Sequence, residues 1–159
     1  MNIVNTTPHE INIYMEEQTE WNEERKFYQV KEGELPVKNI PPSGTTFRME
    51  MKDETITRLV LRKVDLYSPH LREEDSFNFG IPVMKVWYDE QDEFPKRVEG
   101  TFYIVSRLVA ENNMFRDDFL MVHRTVRDSD GRIIGCTAFA TTAFDPTPAR
   151  FTDGIGEEE

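Results

Sequence analysis

The sequence has almost no cysteine: Cys136 stands alone among 159 residues. One cysteine cannot close an intrachain disulfide, which suits a reducing, intracellular compartment. Long apolar runs are missing as well. No stretch approaches the roughly 18 uninterrupted apolar residues that a membrane-spanning helix needs. The first residues, Met1-Asn2-Ile3-Val4-Asn5, carry neither a basic region nor an apolar run, so no signal peptide is expected. Positive charge is scarce too. The chain holds 19 Lys and Arg against 30 Asp and Glu, a formal net charge of −11. Nucleic-acid binding draws most of its affinity from cations on phosphates, and anionic membranes repel an acidic surface. Neither is an expected partner, and a cytoplasmic setting is.

Catalytic and metal signatures are also lacking. There is no G-x-S-x-G, no G-x-x-x-x-G-K-[ST] and no G-x-G-x-x-G. His9, His70 and His123 form no H-E-x-x-H pair, which argues against zinc. Asp128-Ser129-Asp130-Gly131 resembles the start of a calcium loop. Placing Gly131 at the turn glycine, however, puts Val126 at the first ligand position and Thr137 at the bidentate glutamate position. No metal and no cofactor is expected.

What is present is strand periodicity with proline and glycine punctuation. Ile11-Asn12-Ile13-Tyr14 alternates, and Pro8 delays the start of that strand to His9 or Glu10. The acidic stretch Glu16–Glu24 reads as a solvated excursion or short helix, and Phe27–Val30 as a short strand. Pro41-Pro42-Ser43-Gly44 between Val37–Ile40 and Thr45–Met51 reads as a hairpin loop. Ile56–Val64 alternates with Arg58 and Arg62 on one face, and Ile81–Tyr88 reads as a strand. Asp65–Gly80 and Asp89–Glu99 read as loops. Phe102–Val105 is a continuous β-favouring run of the kind found in a central buried strand. Ser106 is placed to cap a short helix over Leu108–Glu111 that stops near Asn112. Phe119–Val122 reads as a strand, and Thr125–Cys136 as a closing hairpin turning at Gly131.

These elements predict an α+β domain: a mostly antiparallel sheet with one or two short helices, the alternative being a small, partly open β-barrel. The globular region is expected over 1–143 and a flexible acidic tail over 144–159.

Six phrases occur in order: Thr7-Pro8-His9-Glu10-Ile11, Ile40-Pro41-Pro42-Ser43-Gly44-Thr45, Gly80-Ile81-Pro82-Val83, Gly100–Ser106, Arg116-Asp117-Asp118, and Val126-Arg127-Asp128 followed by Gly131–Gly135. This order resembles a group of small uncharacterised proteins found in tailed phages and some bacteria. The resemblance runs in islands from about Asn5 to Ala138, with extra sequence near Glu16–Glu34 and Asp53–Phe79. It implies a context, that of an accessory or host-interaction factor, rather than a chemistry.

The candidate ligand-binding residues are His9, Arg107, Arg116, Asp117 and Arg127. His9 follows a proline at the mouth of a strand, and histidine titrates near neutrality. Arg107, Arg116, Arg124, Arg127 and Arg132 form the densest basic run, and guanidinium matches phosphate geometry if they converge. The bland reading is ordinary ion pairing with the acidic excess. Asp117 and Asp118 are neighbours and would face opposite ways on a strand, so a loop in which Arg116 pairs with one of them is favoured over a metal site. Cys136 reads as a buried, inert thiol. The leading expectation is a non-catalytic accessory protein binding a host protein or a small anionic, nucleotide-like ligand. A hydrolase of a nucleotide-like substrate would need His9 within reach of Asp117 or Asp118. A virion structural component is the third reading.

Overall fold

The structure, a computed structural model, describes residues 1–61, 79–90 and 93–146. His70, the end of the strand expected through Val64, most of the Asp65–Gly80 loop and the tail beyond 146 lie outside the described residues. By contact the chain falls into two compact units, Met1–Met49 with Gln91–Glu159 and Glu50–Glu90. The expected globular region 1–143 spans both units.

The first unit is an almost all-β sheet. Its strands are β1 Asn2–Asn5, β2 Ile11–Ile13, β3 Thr19–Asn22, β4 Phe27–Val30 and β5 Lys38–Ile40. They are followed, after the second unit, by β8 Thr101–Ile104, β9 Phe119–Arg127 and β10 Ile133–Ala140. The second unit is a ribbon of β6 Met49–Leu61 and β7 Phe79–Glu90, with the first residue of β6 belonging to the larger unit. Among the described residues, helix is limited to α1, Arg107–Glu111, and a 3₁₀ turn at Glu16–Gln18.

The main sheet runs β1-β8-β9-β10-β2-β5, with β4 joined to β9 and β3 to β4. Its two ends approach each other. Ser43, just past β5, donates its N–H to the Asn5 carbonyl at the end of β1, and Phe47 donates to Thr6. The sheet is therefore nearly closed and barrel-like, which fits the barrel alternative better than the α+β reading. The antiparallel expectation also needs correction. β1–β8, β8–β9, β10–β2 and β4–β9 are parallel, whereas β9–β10, β2–β5 and β3–β4 are antiparallel. Parallel neighbours need a long crossover, and the β8–α1–β9 connection supplies one.

Local chemistry explains several elements. The Ser106 hydroxyl accepts the Val109 N–H at 3.3 Å, and α1 ends with Asn112 as its C-cap. The β9–β10 hairpin turns at Gly131, φ +84°, while the Asp128 carboxylate accepts the N–H groups of Asp130 and Arg132. The Pro-Pro-Ser-Gly segment is not a hairpin loop. β5 pairs with β2, β6 pairs with β7, and the segment between them crosses the end of β1. The acidic excursion holds β3, which forms a hairpin with β4 and sets Trp21 edge-on to Tyr28 at 5.0 Å.

Both faces of β8 are buried. On one, Tyr103 and Val105 join Phe47, Phe94, Val109, Ala110 and Phe119. On the other, Ile104, fully buried, joins Ile11, Ile40 and Cys136. Phe47 and Phe94 lie just before and just after the excursion to the second unit, and they stack at 4.8 Å. That contact fixes where the chain leaves and re-enters the larger unit.

Candidate functional site

Loop 6–10 between β1 and β2 carries His9, and a buried asparagine holds that loop in shape. Asn5, 1% exposed, donates from Nδ2 to the carbonyls of His9 at 2.8 Å and Ile40 at 3.1 Å. Its Oδ1 accepts the Thr7 N–H at 2.9 Å and the Thr7 hydroxyl at 2.6 Å. Next to it the Thr6 hydroxyl donates to the Ile104 carbonyl at 2.8 Å. The loop is thus tied at once to β1, β5 and β8. Sequence reasoning missed Asn5. The signal available was the Asn-Thr-Thr-Pro run, since asparagine commonly bonds the backbone two residues on.

The fixed loop places His9 at the rim of an open groove of about 680 Å³. Arg107, at the start of α1, lines the same groove, as do Ser106 and His123. The remaining walls are mainly aliphatic, including Ile11, Val105, Met121 and Ile134. Glu10 is the one carboxylate among the residues that line it. An apolar cleft with a few converging polar groups is the usual form of a small-ligand site. Arg107 is exposed and bonded to Glu111 one turn on at 2.6 Å. The glutamate holds the guanidinium above its ordinary basicity, chiefly through that hydrogen bond. An exposed pair of this kind is weak enough for a ligand anion to replace.

The other candidates lie elsewhere. Arg116 grips Asp118 with both Nε and Nη2, each at 2.8 Å, and its guanidinium covers the Phe119 ring at 4.2 Å. Asp118 is 2% exposed. Asp117 turns instead to Arg97 at 2.5 Å. The adjacent carboxylates therefore serve two different arginines, from a turn just ahead of β9. Neither lines the groove that holds His9.

Arg127 donates to the Gly131 carbonyl at 2.8 Å and lies over Phe27, 5.5 Å from its centroid. It borders a second groove, of about 860 Å³, with Trp21, Tyr28 and Arg124. Arg124 pairs with Glu16 at 2.9 Å and holds φ +51° inside β9. Of the five candidates, only His9 and Arg107 come together in one groove. The arginine run disperses because β9 and its hairpin spread it over different partners.

Cys136 is 1% exposed, and burial pushes its thiol up from 9.0. Among the described residues, no three His, Cys, Asp or Glu side chains are grouped so as to hold a metal, and no helix is long and apolar enough to cross a membrane. Comparison with models of protein families, with curated proteins and with solved structures finds no match for this chain.

Proposed function

We propose that this chain is a non-catalytic accessory protein of the phage type that binds a small anionic, nucleotide-like ligand in the His9–Arg107 groove. The observation that carries the reading is the convergence of His9 and Arg107 on one largely aliphatic cleft. A guanidinium forks onto a phosphate or carboxylate, an imidazole adds a donor, and the aliphatic walls accept a flat apolar body. Binding is preferred to hydrolysis because neither Asp117 nor Asp118, the carboxylates a hydrolytic site would pair with His9, shares its groove; each is held by an arginine elsewhere. The phage context comes from the sequence islands, several of which surround this groove: the loop around His9, the end of β8 at Val105-Ser106, and Ile133-Ile134-Gly135.

Isothermal titration with nucleoside monophosphates and, separately, with inorganic phosphate tests the proposal. Arg107→Ala and His9→Ala should each weaken nucleotide binding by about tenfold, the size of one charge-assisted hydrogen bond lost. Arg127→Ala, outside the groove, should leave it unchanged. Equal affinities for wild type, Arg107→Ala and His9→Ala would remove the assignment.

A further inference from the structure

The second unit has a feature the groove does not use. β6 spans 13 residues, against a usual strand length of about five or six. Among the described residues it pairs only with β7, and Lys52 meeting Asp89 while Arg58 meets Gly80 shows that the two run antiparallel. A two-stranded ribbon alone is marginally stable in water, because it has no face on which to bury apolar side chains. This one exposes many of them. Ile56 and Val60 are each 59% exposed, and Leu59, Ile81, Met84 and Val86 are exposed as well. Among the described residues no further strand covers its edges, which leaves their N–H and C=O groups open to one. β7 is interrupted by Pro82, which has no N–H to donate, whereas Met49–Leu61 contains no proline.

The centre of β6 reads Glu54-Thr55-Ile56-Thr57-Arg58, and all five side chains are exposed. Laid antiparallel against itself about Ile56, this segment is self-complementary. Glu54 faces Arg58 of the second copy, Arg58 faces its Glu54, threonine faces threonine, and Ile56 faces Ile56. Alternation puts Glu54, Ile56 and Arg58 on one face, so each opposed pair is a true cross-strand neighbour. Among the described residues, Arg58 is bonded to the Gly80 carbonyl at 3.4 Å. We propose that β6 is a homodimerisation edge: two copies pair their β6 strands about a twofold axis at Ile56, making a four-stranded sheet β7-β6-β6-β7. An interface of this symmetry is isologous, as a self-complementary segment requires.

Sedimentation of the full chain over a hundredfold concentration range should show a monomer–dimer equilibrium. Glu54→Arg and Arg58→Glu each turn two attractive cross-strand pairs into repulsive ones and should weaken the dimer by about tenfold. The double variant restores opposite charges and should recover it. Independently of stability, Ile56→Cys should form a disulfide-linked dimer in air, since opposed strand residues fall within disulfide reach. Leu59→Cys should not, its two copies lying about 20 Å apart in this register. A monomer at every concentration, single reversals without effect, a double variant that is not rescued, or cross-linking at Leu59→Cys in place of Ile56→Cys would each overturn the proposal.

Discussion

Asn5→Ala is the substitution that tests the architecture most directly, because one side chain ties the His9 loop to β1 and β5. The change removes two donated bonds, to His9 and Ile40, and two accepted ones, both from Thr7. The Thr7 hydroxyl can turn to water, which makes its bond the cheapest to lose. Each of the other three contributes about 1 kcal/mol net, and more where a buried acceptor such as the Ile40 carbonyl is left short of a donor. The expected loss is about 3 kcal/mol. For a chain of this length that corresponds to a fall in Tm of about 6–12 °C.

Urea unfolding measures the effect directly, with an unchanged slope as the sign that the fold itself is retained. Asn39→Ala is the control. Asn39 also bonds two side chains, Glu10 and Asn12, but in solvent, and its loss should stay within about 0.5 kcal/mol. Asn5→Asp sharpens the test. A carboxylate aimed at two carbonyl oxygens is disfavoured, whereas the protonated acid can donate to one of them. Relative to wild type, that variant should gain stability as pH falls from neutrality. An Asn5→Ala loss no larger than that of Asn39→Ala would refute the idea that this hub holds the loop.

Arg116→Ala should destabilise by about 3–5 kcal/mol, since it strands the buried Asp118 carboxylate and uncovers Phe119; calorimetry that found the variant as stable as wild type would reject a structural role for Arg116. Gly135→Ala should cost at least about 2–3 kcal/mol, because a Cβ there would stand 2.5 Å from the Asn12 carbonyl and 2.7 Å from the Tyr14 ring; denaturant midpoints report it. Cys136 should react with an aromatic disulfide reagent only at the rate of unfolding, as its thiol is buried. Burial raises the folded thiol above 9.0, so the unfolded chain ionises first. Stability intact below that pH therefore declines as pH rises further, and Cys136→Ala should flatten that part of the stability–pH curve.

The legible parts of this fold are those whose cause lies within a few residues. The cap at Ser106, the stop at Asn112, the Phe27–Val30 strand and the Gly131 hairpin can be read from the sequence, because a hydroxyl, an amide or a glycine acts on the backbone beside it. The pair Arg116–Asp118 was legible for the same reason. Where the chain's partners are distant, reading failed. Glu16–Glu24 looks too acidic for a sheet, yet Thr19–Asn22 finds β4 and forms a ribbon with its charges outward. Phe94 lies in an acidic, proline-containing stretch read as a loop, and it is core because Phe47 and Phe119 reach it. Of the candidate site residues, His9 and Arg107 line one groove, whereas Arg116, Asp117 and Arg127 are drawn to partners elsewhere.

The sequence by itself determined strand-rich local structure, a lone inert thiol and a net charge of −11, for these follow from side-chain chemistry and short-range backbone preference. Only the tertiary structure decided that β1 lies parallel to β8, that the sheet nearly closes, and that His9 shares a groove with Arg107. Strand edges carry the same N–H and C=O groups whatever their side chains. The choice among possible neighbours therefore rests on which apolar faces can be buried together, a property of the whole chain rather than of any segment.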